Sequence, residues 1–154
     1  ELPVNAHLPL EYIESERLRL DLYRRIADAQ NDEALAEISN ELVDRFGPIP
    51  EAAQELMAVA SLRLFARRLA LTDVAISGKN LRLAPVVLPE SAQIKLSRIY
   101  PGSIYKNATQ ILLVARPSTP NWIESASVGD TSTLTWVNSV LRELIEPIKI
   151  RSDR

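Results

Sequence analysis

The spacing of apolar residues changes near residue 72 of this chain, and that change limits the folds it can adopt. Before that point, apolar residues recur every three or four positions, as they do on one side of an α-helix. After it, short runs such as Val74-Ala75-Ile76 and Leu81-Arg82-Leu83 have the length and period typical of β-strands. Helices first, and then short strands mixed with helices, predict an α+β fold rather than a regular alternation of parallel units.

The first half of the chain predicts three amphipathic helices. They cover residues 15–29, 32–46 and 50–71. Ser15 can accept a hydrogen bond from the first turn of the first helix. Gly47 can end the second helix in a left-handed conformation. Pro50 suits the first position of the third helix, where a missing N–H costs nothing. We therefore expect an N-terminal helical half.

The second half predicts a small, mostly antiparallel sheet packed with further helices. The expected elements are a hairpin over 74–83, a helix over 89–99, strands at 104–105 and 111–115, a loop over 116–131 and a last helix over 133–146. Gly78 supplies the positive φ that the hairpin turn needs. The strand at 111–115 is the most apolar, and we expect it to be internal in the sheet. Trp136 is expected in the core, and Trp122 in the loop is a candidate contact residue.

The length of 154 residues fits one domain or a tight pair of subdomains. We expect an extended lead-in at 1–14, where Pro3 and Pro9 disfavour a helix. A domain over 15–146 and a polar tail over 147–154 follow. Because the first residue is glutamate, we expect the chain to be a fragment of something larger.

Composition excludes several kinds of site. The chain has no cysteine and one histidine, His7, which excludes disulfides, thiolate zinc sites and pairs of imidazole ligands. Ser77-Gly78-Lys79-Asn80 lacks the upstream glycine and the following Ser/Thr of a phosphate loop, and it fits a hairpin turn. No apolar run approaches the roughly 18 residues that span a membrane. We expect a cytoplasmic, non-catalytic domain without metal or cofactor.

Charge is unevenly distributed along the chain. The formal net charge is −2, but residues 1–72 carry 13 acids against 8 Lys/Arg, and residues 73–154 carry 7 against 10. An acidic half favours docking to a basic protein partner. Acids spaced three or four apart follow one flank of the second helix: Glu33, Glu37, Glu41 and Asp44. This flank is either a solvated charged face or a docking surface, since acid–base catalysis needs two carboxylates in a dry cleft.

The basic second half supports an alternative interpretation. Its basic residues include Lys95, Arg98, Lys106 and Arg116. They suggest an accessory module that contacts nucleic acid or RNA polymerase. However, the interleaved aromatic residues of a single-strand binder are missing.

Several segments together resemble one family. They are ERLRL at 16–20, YRRIA at 23–27, ELVDRFGPIP at 41–50, LTWV at 134–137 and LREL at 141–144. They resemble the C-terminal domain of the bacterial transcription-repair coupling factor, Mfd. The lead-in also resembles the stretch that joins this domain to the motor. The resemblance is specific over 1–70 and looser over 73–130.

The resemblance implies a function for the domain. The parent protein is an ATP-driven DNA translocase that removes stalled RNA polymerase and recruits the excision-repair protein UvrA. ATP and Mg belong to its upstream motor, and the C-terminal domain is not an enzyme. The domain docks on the N-terminal UvrA-binding module of the same protein, masks it and restrains the motor until polymerase is engaged. UvrA, RNA polymerase and DNA are partners of the parent.

The family-like motif locates the expected docking contacts. We expect Glu41, Asp44 and Arg45 to dock, with Glu37 flanking them. Charge-assisted hydrogen bonds from the two carboxylates to arginines of the partner would serve this role. The alternative is that Asp44 and Arg45 only cap and solvate the end of the second helix. The glycine and prolines that follow are expected to be structural.

Overall fold

A computed structural model describes residues 5–116 and 130–152 of the chain. These residues form two compact units, of which the first ends at Phe65 and the second begins at Ala66. Trp122 and most of the predicted loop over 116–131 lie outside the described residues. The division into lead-in, domain and tail stays a prediction.

The first unit is built on the three predicted helices. They are α1 (Glu16–Asp28), α2 (Asp32–Phe46) and α3 (Glu51–Arg68), the last of which continues past the end of the unit. Ser15 accepts a hydrogen bond from the Leu18 amide at 3.3 Å, and the side chain of Asn31 accepts one from the Ala34 amide at 2.8 Å. These side chains pair amides that have no partner within their helices, which explains where α1 and α2 begin.

The core of the first unit lies between the apolar stripes of the three helices. Its buried members are Leu22 and Ile26 of α1, Ala29 just after α1, Leu35, Ile38 and Leu42 of α2, and Ala53, Ala60 and Leu64 of α3. Two residues of the predicted lead-in, Leu8 and Ile13, are buried in the same core. The Leu8 amide donates to the Tyr23 hydroxyl at 2.7 Å, and the His7 amide donates to the Ala52 carbonyl at 3.1 Å. Residues just before α1 therefore contribute to the packing of this unit.

The end of α2 is defined by a glycine and a tyrosine. Gly47 has φ 86° and ψ −165°, a conformation that is essentially reserved for glycine. The Tyr12 hydroxyl lies within hydrogen-bond distance of two carbonyls, those of Leu42 at 3.1 Å and Gly47 at 2.9 Å, and shares its single proton between them. The Leu42 carbonyl lies in the last turn of the helix, and the Gly47 carbonyl lies just past the helix end, where acceptors lack amide partners. The predicted position of the helix end at Gly47 is confirmed, whereas its ψ of −165° lies outside the left-handed helical region predicted from the sequence.

The second unit contains a four-stranded antiparallel sheet. Its strands are β1 (Asp73–Ser77), β2 (Asn80–Ala84), β3 (Ile104–Lys106) and β4 (Ile111–Ala115), in the order β1-β2-β4-β3. β4 lies between β2 and β3, so the prediction that 111–115 is internal is confirmed. The helices are α4 (Glu90–Ile99), α5 (Asp130–Val140) and α6 (Glu146–Ser152), with a π-helical turn at Leu141–Ile145 between the last two. The α+β fold class is confirmed.

One face of the sheet supplies much of the second core. Leu83 pairs with Leu112 and Leu81 pairs with Val114 across β2 and β4, and all four side chains are buried. Partners across an antiparallel pair share a face, so these residues form one apolar layer. The C-terminal helical segment has seven buried apolar residues: Leu134, Val137, Val140, Leu141, Leu144, Ile145 and Ile148.

The last helical segment is longer than the sequence predicts. Helix was expected to end near Glu146, but it continues to Ser152, with Ile148 buried. Ile148 lies four residues after Leu144 and three after Ile145, so its burial extends the apolar stripe past Pro147. Pro147 has no N–H for the carbonyl four residues earlier, that of Glu143. The Lys95 ammonium donates to that carbonyl at 2.7 Å, which satisfies it from α4.

Candidate protein-docking surface

The four predicted docking residues lie on two neighbouring sides of α2. Glu37 and Asp44 are seven residues apart, which places them on the same side of the helix, and both are exposed. Glu41 and Arg45 are four residues apart on the adjacent side, between the exposed acids and the buried stripe. We call these four residues the α2 surface. The structure places them together on one helix, and their docking role stays a prediction.

Glu41 forms an ion-pair cluster inside the first unit. Arg25 of α1 donates from both terminal nitrogens to the two Glu41 carboxylate oxygens, each at 2.8 Å. Arg45 donates to Glu41 Oε2 at 3.0 Å. A two-pronged arginine–carboxylate contact fixes direction as well as distance. Glu41 is therefore held by α1 and α2 together.

The cluster keeps Glu41 ionised. The hydrogen bonds from Arg25, and then those from Arg45, lower the pKa of the Glu41 carboxyl from 4.5 to about 2. Burial opposes this effect but is the weaker influence. The hydrogen bond with Glu41 also raises the pKa of Arg25. Glu41 and Arg25 therefore carry their charges at neutral pH.

Replacing Glu41 with glutamine is expected to change how stability depends on pH. Because the pKa of Glu41 is lower in the folded state, its ionisation stabilises the fold above about pH 4.5, and this contribution is lost as the pH falls towards 2. The wild type should exceed Glu41→Gln in free energy of unfolding at neutral pH, and the difference should shrink below about pH 4.5. Urea denaturation across this range measures it. Glu37→Gln controls for the loss of one charge from α2. If the difference in free energy of unfolding between the wild type and Glu41→Gln does not change with pH, the lowered pKa of Glu41 is contradicted.

Arg45 is also held by an aromatic ring. Its guanidinium carbon lies 5.1 Å from the centroid of Phe46, a distance suited to a cation–π contact. The Phe46 ring lies 5.8 Å from that of Tyr12, whose hydroxyl bonds the end of α2. Arg45 thus contacts Glu41 and Phe46 while its side chain keeps 44% exposure. Such a guanidinium is partly oriented before any partner arrives.

The sequence did not identify Arg25 and Tyr12 as supports of this surface. Arg25 lies beside the buried stripe of α1, and its side chain reaches Glu41 on α2. The predicted helices at 15–29 and 32–46 have a short connection, which is typical of neighbouring helices. Their axial offset, which decides which charges meet, was not available from helical spacing.

Two of the basic residues behind the alternative interpretation are engaged within the second unit. Lys95 donates to the Glu143 carbonyl, as described above. The Arg116 guanidinium carbon lies 5.5 Å from the centroid of Trp136, whose ring is partly buried. Arg98 and Lys106 are exposed. The alternative interpretation of the basic half stays a prediction.

Within residues 5–116 and 130–152, no three acidic or histidine side chains are grouped so that they could hold a metal ion. Among the helices that the structure describes, none has the length and apolar character to cross a membrane. The expectation of a non-catalytic domain without cofactors stays a prediction.

The arrangement of helices and sheet matches a known fold. A solved structure of the C-terminal domain of transcription-repair coupling factor superimposes with a TM-score of 0.62 and covers 89% of this chain and 92% of its own. The two sequences are 18% identical, so this likeness establishes the fold. It places the chain in the class of α+β domains with this architecture.

Sequence comparison gives the family. The TRCF domain model matches residues 2–97, which is more than half of the chain. The chain therefore belongs to the TRCF domain family, and the family resemblance seen in its motifs is confirmed.

Full-length relatives show how much of such a protein this chain represents. The transcription-repair-coupling factors of Mycobacterium bovis and Mycobacterium tuberculosis are each 50% identical to it over 118 residues, or 76% of the chain. The Escherichia coli protein is 29% identical over 146 residues, or 95% of the chain. The chain spans 10% of the mycobacterial proteins and 12% of the Escherichia coli protein.

Proposed function

We propose that this chain is a non-catalytic regulatory domain of a transcription-repair coupling factor, acting in transcription-coupled repair in the cytoplasm. It docks on the N-terminal UvrA-binding module of the same protein. Docking masks that module and restrains the DNA-translocating motor until RNA polymerase is engaged. Membership of the TRCF domain family supports the role in transcription-coupled repair, and the α2 surface supports the docking role.

The observation that carries the proposal is the oriented charge pattern of α2. Glu37 and Asp44 are exposed acids, and Arg45 stands beside them, held by Glu41 and Phe46. Exposed carboxylates favour a partner with arginines, and an oriented guanidinium favours a partner carboxylate or aromatic ring. A polar interface of this kind suits contacts between domains that form and release.

Reversible masking limits how strong this contact can be. A docked state favoured by a few kcal/mol leaves the open state populated at about one per cent or below. Polymerase or DNA binding of comparable energy can then open it. Solvent-exposed charge pairs are individually weak and are screened by salt, so several of them together meet this requirement.

Replacing Asp44 with alanine is expected to weaken docking without unfolding the chain. Loss of its carboxylate should raise the Kd for the isolated UvrA-binding module about tenfold, or about 1.4 kcal/mol. Because Asp44 is exposed, the thermal unfolding midpoint of the Asp44→Ala variant should stay close to that of the wild type. Calorimetric titration and a thermal melt measure the two effects. Asp28→Ala removes the same charge from the exposed end of α1 and is the control.

Two results would count against this assignment. If Asp44→Ala lowers the thermal midpoint by as much as a core substitution, Asp44 has a structural role. If Asp28→Ala weakens docking as much as Asp44→Ala, the effect comes from net charge and not from the α2 surface.

A further inference from the structure

We propose that Arg25 is a positioning residue for the α2 surface, a role that rests on the proposed docking function. Arg25 lies on α1, outside the motif at 41–50. It does not need to contact the partner. Instead it fixes the Glu41 carboxylate, and Glu41 in turn fixes the Arg45 guanidinium that faces the partner.

The contact geometry supports this order of action. Arg25 contacts Glu41 through two hydrogen bonds of 2.8 Å, and Arg45 contacts the same carboxylate through one of 3.0 Å. The two-pronged contact defines the plane of the carboxylate, and it thereby fixes the position of the Glu41 Oε2 atom to which Arg45 donates. Glu41 and Arg45 are on the same helix, so without Arg25 the pair would be an ordinary exposed i, i+4 pair of small stability.

Holding Arg45 in place before docking reduces the conformational entropy that its side chain loses on docking. A long arginine side chain loses rotamer freedom when it is held in an interface, and this loss opposes binding. Contacts with Glu41 and Phe46 already restrict Arg45 in the free chain. Arg25 links this pair to α1, and α1 is itself held in the core by the buried side chains of Leu22 and Ile26.

A positioning role and simple electrostatic attraction predict opposite changes in docking affinity when Arg25 is replaced. If the acidic first half attracts a basic module, removal of a positive charge should strengthen docking. If Arg25 orients Glu41 and Arg45, its removal should weaken docking. The variant Arg25→Met keeps most of the aliphatic stem and removes the charged fork. Arg25→Lys keeps the charge and removes the fork.

The test is a double-mutant cycle on the whole chain, titrated against the isolated UvrA-binding module. Arg25→Met is expected to weaken binding about fivefold in the wild-type background and less than about twofold with Glu41→Ala already present. Arg25→Lys should fall between the wild type and Arg25→Met. Arg24→Met, an exposed neighbour on α1, removes the same charge and should not weaken binding. Tighter or unchanged binding by Arg25→Met, or an equal loss in both backgrounds, would overturn the proposal.

A second readout needs no partner. The NMR order parameter of the Arg45 Nε–H group in the free chain is expected to fall below about 0.6 in Arg25→Met and to stay above it in Arg24→Met. An unchanged value would overturn the positioning role. If the wild-type chain does not bind the module, the docking function fails, and the order parameter alone decides whether Arg25 orients Arg45. If Arg25→Met does not fold, Arg25→Lys replaces it in both measurements.

Discussion

Replacing Leu42 with alanine is expected to lower the free energy of unfolding by about 2–5 kcal/mol. Leu42 is 0% exposed and belongs to the core shared by the three helices of the first unit. The substitution removes buried methyl groups and leaves a cavity that neighbouring side chains fill only in part. Small domains are stable by about 5–15 kcal/mol, so a loss of this size is a large share of the total. Urea denaturation at neutral pH measures it.

The neighbouring residue provides a matched control. Val43 follows Leu42 on the same helix but is 51% exposed. Val43→Ala is expected to change the free energy of unfolding by about 0.5 kcal/mol or less. Equal losses for the two variants would show that α2 is rotated about its axis relative to the structure described above. Glu41, Asp44 and Arg45 would then no longer form the α2 surface as assigned.

Replacing Gly47 with alanine is expected to lower the free energy of unfolding by about 1–3 kcal/mol. A Cβ atom at this position would have no neighbour within 4 Å, so lack of space is not the cause. The cost comes from the backbone, since φ 86° with ψ −165° is unfavourable for any residue with a Cβ atom. A change of these angles would also move the Gly47 carbonyl away from the Tyr12 hydroxyl. Chemical denaturation measures the loss.

The hairpin glycine gives a useful comparison for Gly47→Ala. Gly78 has φ 63°, close to the φ of 59° that Ala70 adopts in the same chain. Its Cβ atom would also have open space. Gly78→Ala is therefore expected to cost less than Gly47→Ala, about 1 kcal/mol. A larger loss at Gly78 than at Gly47 would contradict the backbone explanation for the end of α2.

The helices of the first unit could be predicted from local signals. The expected second helix covered 32–46, and α2 runs from Asp32 to Phe46. Asn31 and Gly47 supply these limits through chemistry that acts within a few residues. The end of the chain was harder, because Pro147 normally argues against helix. There, burial of Ile148 and a hydrogen bond from Lys95, 48 residues before Glu143, maintain the helix.

The candidate site shows the same limit. The motif at 41–50 located Glu41, Asp44 and Arg45, and helical spacing placed the two acids on one flank of α2. The contact between Arg25 and Glu41 joins two helices and depends on their offset, which packing decides. Tyr12 likewise reaches the end of α2 from the segment before α1. Local sequence therefore predicts which side chains are presented, and tertiary packing determines what holds them.

The most direct test of the docking function is a calorimetric titration of this chain with the isolated UvrA-binding module at low and physiological salt. We expect one-to-one binding that weakens as salt increases, because charges on the α2 surface contribute to it. Replacing Asp44 should reduce this salt dependence. Absence of binding up to about millimolar module would contradict docking as an independent contact. Tight binding that salt does not affect would contradict the charge-based surface on α2.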